Sequence, residues 1–232
     1  MASLTLDSSP EEPSRTYSDL LDRLSASPRP AAVWYDGDSG ERVELSGRVL
    51  ANWAVKLINL LSSEWEITPQ THLIVDMPPH WKAAAVHVAA RALGPAAVRC
   101  DAAADPEQLV VTSDPQSWIA GGTEFDELAG VSLGLLDSSF EEAGGEPLPA
   151  WALDISAEVR QHPDQLVQPL EPVLCPGSAG SASSLLITQW DDAAAEAMVS
   201  TLAGGGTVVL FQGSQEGDAW QQMLRQEGLS GA

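Results

Sequence analysis

The stretch that decides the fold begins at Leu45 and ends at Val98, and its second half, from His72, reads HLIVDMPPHWKAAAVHVAARALGPAAV. In its first half, after Ser46, apolar residues recur at steps of three and four, which predicts a helix with one buried face. These residues are Val49, Leu50, Trp53, Leu57, Leu60 and Leu61. The short apolar run from His72 to Met77 is typical of a buried parallel strand.

Proline and glycine mark the ends of the next helix. Pro78 and Pro79 end the strand, and Pro79 suits a helix start, because a proline costs nothing in the first helical turn. The helix is predicted over His80–Leu93, and Gly94 with Pro95 closes it. A strand at 96–98 follows. Two short strands joined through a packed helix predict a right-handed βαβ crossover.

Apolar runs farther along the chain continue this alternation. Strands are predicted at 108–112, 131–136, 185–188 and 207–211, with helices at 191–202 and 215–227 between and after the last two. We therefore predict the α/β class, with three layers and a mostly parallel sheet flanked by helices. Trp53 and Leu57 are expected to pack inward.

The beginning of the chain has a different composition. Residues 1–15 are rich in Ser, Pro and Glu and are expected to be a flexible segment, followed by one α/β domain at 16–232. Within that domain, 16–136 and 170–232 are candidate subdomains joined by a loop-rich stretch. Thr16, with Asp19 three residues on, predicts a helix cap. The turn Asp36–Gly40 predicts a hairpin and lacks the later ligands of a calcium loop.

Charge and hydropathy exclude several classes of partner. The 33 acidic and 11 basic residues give a net charge of -22, which repels nucleic acid and anionic membrane surfaces. No apolar run reaches the roughly 20 residues of a membrane span, and no secretion signal is recognisable, so we expect a cytoplasmic protein. Cys100 and Cys175 are then expected to be buried thiols.

The order of these elements resembles the N-terminal part of the adenylate-forming enzymes, the superfamily of acyl-CoA synthetases and luciferases. The resemblance rests on the Asp36–Gly40 hairpin, the Leu45-Ser46 helix start and the His72–Pro79 strand with its Ala-rich helix. A second landmark, Leu202–Leu210, is similar to a strand that follows a Leu-x-Gly helix end in that family. The chain looks most like a group of shortened, actinobacterial-type relatives.

The resemblance implies ATP-dependent activation of a carboxylate to an acyl-adenylate. The family cradles phosphates in a Ser/Thr/Gly-rich loop that ends in Pro-Lys-Gly, and the nearest match here is the Gly/Ser segment Gly177, Ser178, Ala179, Gly180 and Ser181. Ala182 and Ser183 stand in place of Lys-Gly. Such a loop would lie at the carboxyl edge of the sheet if Val173-Leu174 forms the strand before it. We find neither the family's Tyr-Gly-x-Thr-Glu motif nor, before the chain ends, its ribose-binding Asp and lid domain.

The other candidate sites are weak patterns. His72, Asp76, His80 and His87 could suggest a metal cluster, but helical metal pairs normally use i, i+4 spacing, so no metal is expected. Cys175 has no histidine near it in sequence, so a catalytic Cys-His dyad is not expected. The tryptophans outside the first helical face could line a pocket or a partner surface; they include Trp81, Trp118, Trp151, Trp190 and Trp220.

Two functions from different classes remain. The first is a catalytically silent binding or interaction module, with no required cofactor and at most residual ATP or AMP binding at Gly177, Ser178, Gly180 and Ser181. Its partner would be another protein or a second copy of the chain. The second is an active acid ligase with a reduced site, or with a site that a partner chain completes. The missing lysine favours the first.

Overall fold

A computed structural model describes residues 13–68, 70–95, 97–100, 108–144, 146–177 and 184–229. The helices in these ranges are α1 (Tyr17–Ala26), α2 (Gly47–Glu64), α3 (Trp81–Ala92), α4 (Pro115–Gly121), α5 (Ile155–Glu158), α6 (Asp192–Ala203) and α7 (Asp218–Gln226), with one 3-10 turn at Val159–Gln161. The strands are β1 (Pro30–Asp36), β2 (Arg42–Ser46), β3 (His72–Asp76), β4 (Ala97–Arg99), β5 (Gln108–Thr112), β6 (Glu127–Gly130), β7 (Leu153–Asp154), β8 (Ser184–Ile187) and β9 (Thr207–Gln212).

The strands form two sheets. The first has the order β2-β1-β9-β8, in which only the β1–β2 hairpin is antiparallel, and the second has the parallel order β4-β3-β5-β6-β7. The predicted α/β class with mostly parallel strands and flanking helices is therefore confirmed. The sequence pattern did not reveal that the strands divide into two sheets, because strand periodicity carries no information about which strands pair.

Alternating side chains give each sheet two packed faces. In the first sheet, Trp34 and Leu210 join the main core, whereas Val33 and Phe211 pack on the other face with Met223 of α7. In the second sheet, Ile74 and Val110 lie on the outer face, against Trp118 of α4. Each sheet thus has helices on both sides, and the two sheets share one central helical layer.

The helix α3 lies in that shared layer. It contacts β1 of the first sheet and β3 and β4 of the second, and it also packs against α2 and α6. All of its residues are buried except Arg91, which is half-buried. Six of its twelve residues are alanine, and a helix of small residues allows two sheets to approach it from opposite sides.

The predicted helix boundaries are largely confirmed by their caps. Thr16 and Asp19 form a capping box at the start of α1, and the side chain of Ser46 accepts from the backbone N–H of Val49 at the start of α2. The turn Asp36–Gly40 connects β1 and β2, with Gly40 at φ 77°, a left-handed conformation that glycine adopts without strain.

One predicted strand is wrong. Residues 131–136 follow β6 as an irregular segment in which Leu136 is 86% exposed, and the strand at this place is Glu127–Gly130. The apolar residues of 131–136 resemble a strand in sequence, but Leu135 and Leu136 have no sheet to pack against.

The buried face of α2 differs in detail from the prediction. Val49 is exposed and Trp53 is only partly buried, although Trp53 packs against the core and the ring of Trp81.

The first sheet joins distant parts of the chain. β1 pairs with β9 in parallel from Ala32 opposite Val208 to Asp36 opposite Gln212. This pairing therefore joins strands from both candidate subdomains, 16–136 and 170–232, in one sheet. The division into two subdomains stays a prediction. Among the described helices, none has both the length and the apolar composition that a bilayer span requires.

The tight packing of α3 makes a testable prediction. Ala89 is fully buried, so Ala89→Leu adds three carbon atoms where no space is available, and we expect it to lower the free energy of unfolding by about 1–3 kcal/mol or more. Ala193→Leu on the exposed side of α6 is the matched control and should change stability by less than about 0.5 kcal/mol. Urea denaturation measures both, and equal effects would contradict the placement of α3.

Candidate functional site

The Gly/Ser segment is the site that the sequence predicts, and the structure describes one of its four predicted binding residues. Gly177 is exposed, and its carbonyl oxygen accepts a hydrogen bond from Ser200 Oγ of α6 at 2.7 Å. Ser178, Gly180 and Ser181 lie outside the described residues. The prediction of a phosphate-binding loop at these four positions therefore stays a prediction.

The chain that leads into this segment does not join a sheet. Leu174 forms an isolated antiparallel bridge with Thr16, the N–H of Tyr17 donates to the Val173 carbonyl oxygen at 3.0 Å, and the N–H of Cys175 donates to the Arg15 carbonyl oxygen at 2.9 Å. Val173-Leu174 is thus paired with the start of α1. The strand that would place the Gly/Ser segment at the carboxyl edge of a sheet is not formed there.

A cavity of about 150 Å³ is lined in part by Pro176, the residue before Gly177, and we call it the Arg91 cavity. Its polar lining consists of Tyr17 from α1, His87 and Arg91 from α3, and Asp192 and Glu196 from α6. Apolar walls come from Val98, Pro176 and Val199. Three helices that are far apart in sequence therefore contribute polar groups to one cavity.

Burial shifts the pKa values of two of these groups away from neutral pH. Burial raises the pKa of Tyr17 to about 12, although the Arg91 guanidinium offsets part of this rise, so the hydroxyl keeps its proton at neutral pH. Burial, together with the charge of Arg91, lowers the pKa of His87 to about 3, so its imidazole is neutral. Tyr17 Oη and His87 Nδ1 are buried, and neither forms a hydrogen bond with another described residue.

The two carboxylates of the cavity, Asp192 and Glu196, differ in the contacts that they make with other residues. Asp192 accepts a hydrogen bond from the backbone N–H of Cys100 at 2.6 Å, and its second oxygen lies 4.0 Å from Arg99 Nε. Glu196 forms no hydrogen bond or ion pair with another described residue. The Arg91 cavity therefore offers one guanidinium, one hydroxyl, one neutral imidazole and at least one uncommitted carboxylate.

A second polar group surrounds the start of α3. His80 is fully buried, and its Nδ1 accepts a hydrogen bond from the backbone N–H of Lys82 at 3.1 Å. Its ring packs against the ring of Trp34, with the two centroids 4.3 Å apart. Lys82 Nζ donates to the carbonyl oxygens of Ser132 and Gly134 at 2.6 and 2.8 Å. Burial lowers the pKa of Lys82 to about 8. The adjoining cavity has a volume of only about 20 Å³, which is room for about one water molecule.

Lys82 and His80 therefore stabilise the fold through hydrogen bonds, and the cavity beside them is too small for a substrate. The ammonium group of Lys82 satisfies two carbonyls of the irregular segment after β6, and His80 caps α3.

Within the described ranges, no three His, Cys, Asp or Glu residues are grouped as metal ligands. Asp76 instead accepts from Trp118 Nε1 at 2.7 Å.

The cysteines are both free thiols. Cys100 is buried, as expected, and Cys175 is half-buried. Burial raises the pKa of Cys175 to about 12, so the reactive thiolate form is suppressed at neutral pH.

Sequence reasoning did not find the Arg91 cavity. His87 and Arg91 stand four residues apart in an Ala-rich helix, and so do Asp192 and Glu196. Polar pairs at this spacing share one helix face, and such a face on an otherwise apolar helix is a usable signal for a polar contact. Nothing in the sequence, however, indicates that the two faces meet.

Buried neutral histidines make stability depend on pH. Because the pKa of His87 falls from the ordinary 6.5 to about 3 in the folded protein, its contribution is complete above pH 6.5 and is lost as the pH falls toward 3. Between pH 7 and pH 5, the unfolded state gains the proton, and this one group should lower the free energy of unfolding by about 2 kcal/mol.

Urea titrations at both pH values measure this contribution. His87→Gln should reduce the difference between pH 7 and pH 5 by about 2 kcal/mol relative to the unsubstituted protein. His162→Gln, at a half-buried histidine near the surface, is the control. An unchanged pH dependence in His87→Gln would contradict the burial of that imidazole.

Comparison with known proteins places the fold. No protein-family model matches the chain. A TIGR03089 family protein of Mycobacterium tuberculosis is 35% identical over 139 residues, which cover 60% of this chain and 56% of that protein. Among solved structures, an acyl-CoA synthetase of Brucella canis matches with a TM-score of 0.68 at 14% identity, over 96% of this chain and 47% of that chain.

A second solved structure agrees with the first. The acetoacetyl-CoA synthetase of Streptomyces lividans matches with a TM-score of 0.62 at 14% identity, over 90% of this chain and 40% of that chain. The chain thus spans less than half the length of these two synthetases. The resemblance seen in the hairpin, the helix starts and the strand order is confirmed at the level of structure: the chain has the fold of the N-terminal domain of acyl-CoA synthetases and related adenylate-forming enzymes.

Proposed function

We propose that this chain is a binding module built on the synthetase fold, and that it does not adenylate carboxylates by itself. The observation that carries the proposal is the distribution of positive charge. The Gly/Ser segment has Ala182-Ser183 in place of Lys-Gly, and no Lys or Arg occurs between Arg160 and Arg225. Transfer to or from a triphosphate requires cations placed on the phosphate oxygens.

The surrounding field adds to this deficit. Asp191, Asp192 and Glu196 lie at the start of α6, the helix whose Ser200 contacts Gly177. A net charge of -22 further opposes the approach of a nucleotide triphosphate. The guanidinium of Arg91 supplies one cation beside Pro176, which suits a single anionic group better than three phosphates.

The proposal extends to location and partners. We place the protein in the cytoplasm, where Cys100 and Cys175 stay reduced. Its partner is another protein or a second copy of the chain, and residual ATP or AMP binding at the Gly/Ser segment is at most weak. Nucleotide binding can be measured through the melting temperature, because a ligand that binds only the folded state raises this temperature as its concentration increases.

Pyrophosphate exchange tests the absence of adenylation. The purified chain, with ATP, magnesium and a panel of fatty, aromatic and amino acids, should give no exchange of labelled pyrophosphate into ATP above the enzyme-free rate. An acyl-CoA synthetase assayed in parallel is the positive control. Exchange that follows the concentration of this polypeptide, and that survives repurification, would refute the proposal.

Thermal shift tests residual nucleotide binding in the same preparation. With ATP at about 1 mM, we expect the melting temperature to rise by less than about 2 °C, because a dissociation constant above 1 mM adds less than about 0.4 kcal/mol. CoA and AMP are tested at the same concentration. A saturable rise of several degrees with ATP would show that the chain binds ATP well and would contradict this part of the proposal.

A further inference from the structure

Two polar helix faces meet at the Arg91 cavity, and their charges are opposite. The α3 face contributes Arg91 with His87, and the α6 face contributes Glu196 with Asp192. Arg91 forms no ion pair with another described residue. A guanidinium and a carboxylate thus line the same small cavity without pairing with each other.

The deeper part of the cavity also has uncommitted polar groups. Tyr17 is 1% exposed and His87 is 4% exposed, yet Tyr17 Oη and His87 Nδ1 lack hydrogen-bond partners among the described residues. Arg91 is near enough to Tyr17 to lower the pKa of its hydroxyl. The two side chains nevertheless do not meet the distance and angle of an ordinary hydrogen bond. Buried polar groups in native proteins are nearly always satisfied by protein or by ordered water, so two of them at one cavity require a partner that the described residues do not supply.

The charges restrict what this partner can be. A simple anion would pair with Arg91 but would lie near Glu196 and Asp192 in a protein of net charge -22. A simple cation would pair with Glu196 but would leave Arg91 and the Tyr17 hydroxyl without an acceptor. A molecule with one negative and one positive end satisfies both sides and adds no net charge.

The volume restricts its size. A cavity of about 150 Å³ is large enough for a ligand of about six heavy atoms, since an apolar cavity of that size binds benzene. Val98 and Val199 provide apolar walls that suit a short carbon chain between the two charged ends.

We propose that the Arg91 cavity binds a small zwitterion of about six heavy atoms, with a carboxylate held by Arg91 and Tyr17 and an ammonium group held by Glu196. The proposal rests on the proposed role as a binding module and names the ligand class of that module. Free amino acids of the size of alanine or β-alanine have this chemistry.

Calorimetric titration of the full chain with L-alanine and β-alanine tests the proposal. At least one of them should bind saturably, with a dissociation constant near or below about 1 mM. Propionate lacks the ammonium group and n-propylamine lacks the carboxylate, so each should bind at least about tenfold more weakly.

Charge-removing variants identify the cavity. Arg91→Gln and Glu196→Gln should each weaken the zwitterion by about tenfold or more, whereas Arg225→Gln and Glu216→Gln, at exposed positions away from the cavity, should not. Tyr17→Phe removes a hydroxyl without a partner, so the ligand-free protein should keep its melting temperature while binding weakens.

The outcomes distinguish this inference from the proposed function. No binding by either amino acid at about 10 mM, equal binding of propionate, or unchanged binding in Arg91→Gln and Tyr17→Phe overturns the zwitterion site even when pyrophosphate exchange stays absent. Exchange with an amino acid that binds here would overturn the non-adenylating role and leave the site in place.

Discussion

The burial of α3 on all sides is the constraint on which the rest of the structure depends. A helix between two sheets favours small side chains where the sheets approach it closely, and the six alanines of α3 meet this requirement. Alanine loses no side-chain conformational entropy on burial and is the strongest helix former, so the sequence that allows close approach also favours the helix itself. Both sheets and α2 then pack on one shared element.

The polar residues of α3 follow from the same constraint. His80 caps its first turn, Lys82 satisfies two carbonyls of the segment after β6, and Arg91 lies in its last turn, where a cation favours the helix dipole. These three residues are near the ends of the helix, whereas His87 is buried in its middle. The Arg91 cavity is a consequence of the fold: it forms where the C-terminal half of α3 meets α1, α6 and β4.

The sequence predicted those features that are decided locally. The Thr16–Asp19 cap, the Asp36–Gly40 turn and the βαβ unit of His72–Val98 depend on residues close together in the chain, and all three are present. Features that depend on distant segments were missed. Residues 131–136 have the composition of a strand, but the β5–β6 ladder ends at Gly130 and the chain leaves the sheet after the hydrogen bond from the Val131 N–H to the Thr112 carbonyl oxygen. The division into two sheets depends on β1 meeting β9, about 170 residues later.

The candidate site shows the same division. The Gly/Ser segment could be recognised from its residues, although Gly177 alone of the four predicted positions lies in the described part of the chain. The Arg91 cavity could not be recognised, because Tyr17, Arg91, Asp192 and Glu196 meet only after folding. Its signal in the sequence is two polar pairs with i, i+4 spacing in Ala-rich helices, and their meaning depends on tertiary contact.

Native-state hydrogen exchange tests the central role of α3 most directly. If α3 is enclosed by both sheets, its amide hydrogens from Ala85 to Ala92 should exchange only through global unfolding, with a free energy equal to that obtained from urea denaturation. The exposed helix α7 should exchange through smaller openings. Exchange of the α3 amides at a free energy more than about 2 kcal/mol below the global value, while β3 and β5 stay protected, would contradict the account.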